Sequence, residues 1–155
     1  MDISAHVAQT VALDSMPSPE AVRALEDALL TMPQADVGTQ MLVHGGMCAR
    51  TIVIPADAVL TGAATNADNV CVMWGDVSVA TDDGVVRLTG FHVLPAHKGI
   101  KRVGVSHAVT YWTTIWPTQL TDLKDIEDEM TGESSQLQTR RGGIEFASQL
   151  ELEGV

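Results

Sequence analysis

Asp76-Val77-Ser78-Val79-Ala80-Thr81-Asp82-Asp83-Gly84-Val85-Val86-Arg87-Leu88 is the stretch that decides the fold. Two runs rich in valine meet at Asp82-Asp83-Gly84, and the glycine supplies the positive φ that a tight connection needs. The segment predicts an antiparallel hairpin. On either side lie more short runs of the same kind: Ala49–Ile54 and Val70–Met73 before it, then Phe91–Leu94, Arg102–Val105 and Val109–Ile115 after it. They are rich in Val, Ile, Thr and aromatic residues and are broken by Gly, Pro, Asn or Asp. Counting both arms of the hairpin, Asp76–Ala80 and Val85–Leu88, at least seven strands lie close together. That spacing predicts a β-sandwich or a jelly-roll barrel.

Helices are predicted at both ends of this region. Ser18-Pro19-Glu20 has a hydroxyl cap, proline at the first helical position and an acid facing the positive end of the helix dipole. Val22, Leu25, Leu29 and Met32 follow as one apolar stripe until Pro33, so 18–34 reads as a packing helix laid on the barrel. Thr121-Asp122 opens a second helix with Leu123, Ile126 and Met130 on one face, an acidic opposite face and Gly132 as terminator. The barrel with this helix spans 41–130. Residues 1–17 and 131–155 read as extended arms, docked on their own barrel or on a neighbouring subunit.

The chain has 155 residues, enough for one domain with a sizeable core. Apolar residues make up 45% but aromatics only 4%, so the core must be built mostly from Val, Ile, Leu, Ala and Met. A net charge of −11 repels phosphate backbones, which argues against nucleic-acid binding. Cys48 and Cys71 lack CxxC spacing and read as buried thiols. The first residues have neither a basic nor an apolar leader pattern, and no run reaches membrane-span length. A soluble protein made in a cytoplasm is expected.

The order of several short segments resembles small bacteriophage-encoded cupin-like proteins. These segments are Met32-Pro33-Gln34, Met41-Leu42-Val43-His44, Arg50–Pro55, Leu60-Thr61-Gly62, Gly75–Val79, Gly99–Arg102, Trp112-Thr113-Thr114 and Thr121–Glu129. The resemblance covers roughly residues 25–130 and implies a mainly β fold: one cupin-like jelly roll with flanking helices and extended terminal arms. It also implies a bacteriophage setting. A metal-binding member would carry an H-x-H pair and a glutamate before the position of Gly75, and a third histidine soon after that of Pro95. Here Ile54–Gly75 contains no histidine. Thr65 and Asn69 stand about where phage relatives often carry one, Asp68 or Asn69 is the nearest remnant of the acid, and the third slot falls near Ile100. No metal and no cofactor is expected.

Other constellations carry a functional and a plainer reading side by side. Lys98, Lys101 and Arg102, which Arg50 could join, form either an anion-binding cluster or a set of ion pairs within or between subunits. Trp74 and Trp116 are interface candidates and Trp112 is expected in the core. Arg140 and Arg141 could clip onto the acidic helix face of a neighbour. His44, His92, His97 and His107 match no ligand spacing and read as hydrogen-bonded to backbone. Ser106-His107 adjacency is not a catalytic signature. No hydrolase, zinc-protease, Walker or dinucleotide fingerprint is present.

Three functions follow. The first is a non-enzymatic structural or assembly protein of a virion, acting through homo-oligomeric contacts and contacts with other phage proteins. The alternative is a binder that sequesters a small anion or nucleotide in the barrel mouth. A metal-dependent enzyme comes last, because the ligands are missing.

Overall fold

The computed structural model describes residues 17–81 and 83–141. Nearly all of the expected N-terminal arm, the C-terminal arm beyond Arg141, and Asp82 of the hairpin turn therefore lie outside the described residues. Helix α1 (Pro19–Leu29) precedes strands β1 (Gly38–His44), β2 (Met47–Ile54), β3 (Val59–Thr61), β4 (Asn69–Thr81), β5 (Gly84–Ala96), β6 (Val103–Ser106) and β7 (Thr110–Pro117). Helix α2 (Leu123–Met130) follows, and then two short 3-10 turns, Ser134–Gln136 and Gln138–Arg140. The protein is mainly β, as expected. Its seven described strands form one antiparallel sheet in the order β1-β2-β7-β4-β6-β3, with β5 paired to β4. The sheet curls into a half-barrel consistent with the expected jelly roll.

The bend is built on one rung. Four of the expected strands are two: Val70–Met73 and Asp76–Ala80 are halves of β4, and Val85–Leu88 and Phe91–Leu94 are halves of β5. Gly75 and Gly90 pair with each other where both strands turn, with φ of 151° and 81°. One edge of β4 pairs with β5 throughout. Its other edge pairs with β7 from Val70 to Trp74 and with β6 from Val77 to Val79, so the partner changes at Gly75. The buried Thr110 fills the corner, where its hydroxyl accepts from the Asp76 N–H at 3.1 Å and donates to the Ala108 carbonyl at 3.0 Å. Strands β1 and β3 were not among those anticipated. The Gly45-Gly46 turn, both residues at positive φ, closes the β1–β2 hairpin.

Two apolar clusters make the core. Cys71, Met73, Val77, Val79, Leu88, Leu94 and Ala96 pack inside the curl with Val86 and Trp112. Met41, Cys48 and Trp116 pack against Ile126 and Met130 of α2. That helix is capped as read, with the Asp122 carboxylate accepting from the Lys124 and Asp125 N–H groups. The Ser18 hydroxyl likewise accepts from Ala21 N–H at the start of α1. The expected stripe of α1 is not buried. Only Val22 is; Leu25 is half-exposed and Met32, beyond the helix end, is 58% exposed.

Polar contacts hold α1 instead. Lys101 is 1% exposed and donates all three ammonium hydrogens, to Glu26 at 3.0 Å, to the Gly62 carbonyl at 2.9 Å and to Glu133 at 3.1 Å. Glu133 also accepts from Arg23 and from the Ala64 N–H. One buried cation thus ties α1, the β3 end of the barrel and the segment after α2. Burial pushes the Glu133 pKa up, but these donors outweigh it and hold the carboxyl below its ordinary range.

Candidate functional site

The two halves of the curled sheet line a cavity of about 130 Å³ that is open on one side. Alternation along the strands decides what faces it. On β2 the inward residues are Arg50, Ile52 and Ile54, on β7 Trp112 and Thr114, and on β4 Cys71, Val77 and Val79. Gly104 and Ser106 face inward from β6, and Arg102 continues their alternation into the same space. Leu60, Thr65, Asn69, Met130 and Leu137 complete the wall.

The four expected anion-binding residues are not one cluster. Lys101 is consumed in the tie just described. Arg50 pairs with Glu127 through Nε and Nη2, each 3.1 Å from Oε2. Burial lowers the Arg50 pKa from its ordinary value, and Glu127 opposes that shift. Lys98 stands on an exposed loop whose backbone N–H is held by Asp68. Arg50 and Lys101 thus take the ion-pair alternative, within the chain, and for one cause: in an acidic chain, a buried cation lies within reach of its own carboxylates. Arg102 is different. Its Cζ lies 5.7 Å from the Trp112 ring centroid and its Nη1 is 3.9 Å from Cys71 Sγ. Its Nε and Nη2 are buried without a hydrogen-bond partner among the described residues.

The cavity does not suit a divalent metal. Its donors are the hydroxyls and amide of Thr65, Asn69, Ser106 and Thr114 and the thiol of Cys71, beside two guanidinium groups. Such a set lacks the convergent imidazoles, thiolates or carboxylates that a transition metal requires. Among the described residues no three His, Cys, Asp or Glu side chains converge anywhere. His92 Nε2 lies 2.9 Å from the Thr89 carbonyl and His107 Nε2 lies 2.7 Å from Ser78 Oγ. Ser106 Oγ hydrogen-bonds to Pro55 and Ala58 and is no partner of His107 in catalysis.

The interface candidates also separate. Trp116 is 5% exposed and packs on α2, so it is core and not contact surface. Arg140 does not reach outward: it binds Glu127, Asp128 and the Lys124 carbonyl of its own chain. Arg141 is exposed and lies 3.5 Å from Gln34. The helix face read as solvated hides one residue, because Glu127 is 0% exposed between Arg50, Thr139 and Arg140. Trp74, at 60% exposed, does face solvent and stacks on Tyr111 with centroids 6.0 Å apart.

Trp74 belongs to a surface that the sequence reading missed. On the outer side of β1-β2-β7-β4-β5 the register forms three rows of five. They are Gly38-Val53-Tyr111-Trp74-Phe91, Gln40-Thr51-Thr113-Val72-Val93 and Leu42-Ala49-Ile115-Val70-Pro95. None of these side chains is charged. Phe91, Val93, Leu42 and Val70 are between 58% and 44% exposed. The signal was the unbroken apolar run Val70-Cys71-Val72-Met73-Trp74: a strand with one wet face alternates, whereas a strand covered on both faces does not.

Cys48 and Cys71 are free and buried, as read. Burial, opposed by Arg50, pushes the Cys48 thiol up to about 11. Neither thiol should react with Ellman's reagent at neutral pH until the chain is unfolded by denaturant, when both titrate. Rapid labelling of either in the native protein would contradict this packing.

No protein-family model and no characterised protein matches the sequence. Among solved structures, the chain is similar to a cupin-2 domain containing protein from Shewanella frigidimarina (15% identity, TM-score 0.42, 60% of this chain and 91% of that one). A cupin superfamily protein from Desulfitobacterium hafniense matches at 12% identity and TM-score 0.45, over 59% of this chain and 86% of its own. A cupin domain from Bordetella pertussis matches at 15% and 0.44, over 56% and 98%.

Proposed function

We propose that this cupin-like barrel is a non-enzymatic structural or assembly protein that works through contacts between its own copies. The uncharged outer face carries that reading. Two chains of net charge −11 repel each other at long range, and the approach costs least where both surfaces are free of charged groups. The exposed apolar side chains of the three rows offer on the order of 600 Å² per subunit, and their neighbours add to it. A standard interface buries roughly 800 Å² per partner. A two-fold pairing of the face with itself needs no second surface. Trp74, Tyr111 and Phe91 at one end of the patch are the aromatic anchors that interfaces favour.

The resemblance in segment order supports a bacteriophage particle as the setting, with other particle proteins as further partners. Quantitative mass spectrometry of purified particles from a phage encoding the chain tests this. A fixed copy number of several or more per particle is expected. Abundance in infected cells with absence from particles would overturn the structural role.

A further inference from the structure

Arg102 presents a feature that the outer-face reading does not use. Its two unpartnered groups, Nε and Nη2, lie on one edge of the guanidinium. Arg87 in the same chain shows what that edge takes: its Nε and Nη2 grip the two oxygens of Asp76 at 2.8 and 2.7 Å. A planar carboxylate fits this fork bidentately, which a lysine or a lone amide cannot reproduce. Buried N–H groups on a cation are costly to leave without acceptors. Every other buried cation among the described residues has a carboxylate partner: Arg50 has Glu127, and Lys101 has Glu26 and Glu133.

We propose that the barrel cavity binds a small monocarboxylate, held on the Nε/Nη2 edge of Arg102 with its hydrocarbon body against Ile52, Leu60, Val77 and Val79. The walls decide the class. They are mainly aliphatic, so a ligand that is charged at one end and apolar at the other matches them better than a fully hydrated inorganic anion. The volume decides the size. An engineered apolar cavity of roughly 150 Å³ accepts benzene. A space of about 130 Å³ therefore suits a body of about six non-hydrogen atoms. Within the expected small-anion alternative, the class is a short or branched fatty acid, or an acid of similar bulk. Thr65, Asn69 and Thr114 line the same cavity and offer further donors to a carboxylate.

Calorimetric titration and thermal denaturation of the intact chain test this with isovalerate, isovaleramide and inorganic phosphate. Isovalerate should bind and raise the melting temperature with concentration, because a ligand specific to the folded state shifts apparent stability. The neutral amide has the same body and should bind at least about tenfold more weakly. Arg102→Met fills similar space and removes the buried cation; it should fold and lose isovalerate binding. Arg102→Lys keeps the charge without the fork and should bind at least about tenfold more weakly than wild type. The proposal is overturned if isovalerate at millimolar concentration gives neither heat nor a shift. It is also overturned if the amide or Arg102→Met binds equally well, or if phosphate binds and isovalerate does not.

Discussion

Glu127→Ala should lose about 3–5 kcal/mol of stability. The carboxylate is 0% exposed and answers two guanidinium groups, Arg50 at 3.1 Å and Arg140 at 3.3 Å, as well as the Thr139 hydroxyl at 2.8 Å. Removing it strands Arg50 against the cavity wall with no acceptor of its own, and a lone buried charge costs far more than an intact pair contributes. It also frees the turns after α2, since Thr139 and Arg140 fasten that segment to the barrel through the same carboxylate. Glu127→Gln keeps shape and part of the hydrogen bonding, so its loss should be smaller. Glu129→Ala, on the exposed side of the same helix, should stay within about 0.5 kcal/mol. Urea denaturation separates these cases: the midpoint should fall in the order Glu129→Ala, Glu127→Gln, Glu127→Ala with little change in slope. Equal midpoints for all three would show that the buried network does not hold the segment.

Gly75→Val should cost about 3 kcal/mol or more, for two reasons that add. The backbone φ of 151° is one that side chains rarely adopt, and the first carbon of any side chain would lie 2.7 Å from Thr110 Cα and 2.5 Å from its hydroxyl. The contact is with backbone, so no rotamer relieves it. Position 75 is also where β4 changes partner from β7 to β6, and a shift there disturbs both halves of the curl. Gly90, its partner on β5, makes the useful control. With φ of 81° and open space around it, Gly90→Ala should cost about 1–2 kcal/mol from backbone strain alone. A Gly75→Val protein that melts like wild type would mean the corner is not closed on Thr110.

Local chemistry was the legible part of this fold. Ser18 and Asp122 could be read as caps because a cap is decided by a side chain and the backbone within three residues of it. The β4–β5 hairpin was readable on similar grounds, with Gly84 at a positive φ of 125°. The bends were not: Gly75 and Gly90 look like strand breaks until their pairing shows one bent ladder. The tryptophans were partly assigned. Trp74 does face solvent, but Trp116 shares the inward alternation of Trp112 and lies under α2, which no local pattern reveals.

The site divides in the same way. Clustering of Lys98, Lys101 and Arg102 in sequence says nothing about which carboxylates the fold brings to them, and Glu26 and Glu133 come from distant segments. Arg102 precedes β6 and lines the cavity with Gly104 and Ser106, an orientation that the sequence reading did not assign. The outer face was written in Val70–Trp74, an apolar run on both sides of a strand, yet its extent appears only when β1, β2, β7 and β5 are set beside it.

Sedimentation equilibrium of the intact chain, with Trp74→Glu beside it, tests most directly whether that outer face joins copies. Wild type should sediment at twice the monomer mass or more at micromolar concentration. Trp74→Glu places a charge at an anchor of the patch and should shift toward the monomer with an unchanged far-ultraviolet circular dichroism spectrum. A wild-type chain that stays monomeric across the concentration range, or a Trp74→Glu variant that associates as strongly as wild type, would contradict assembly through this face.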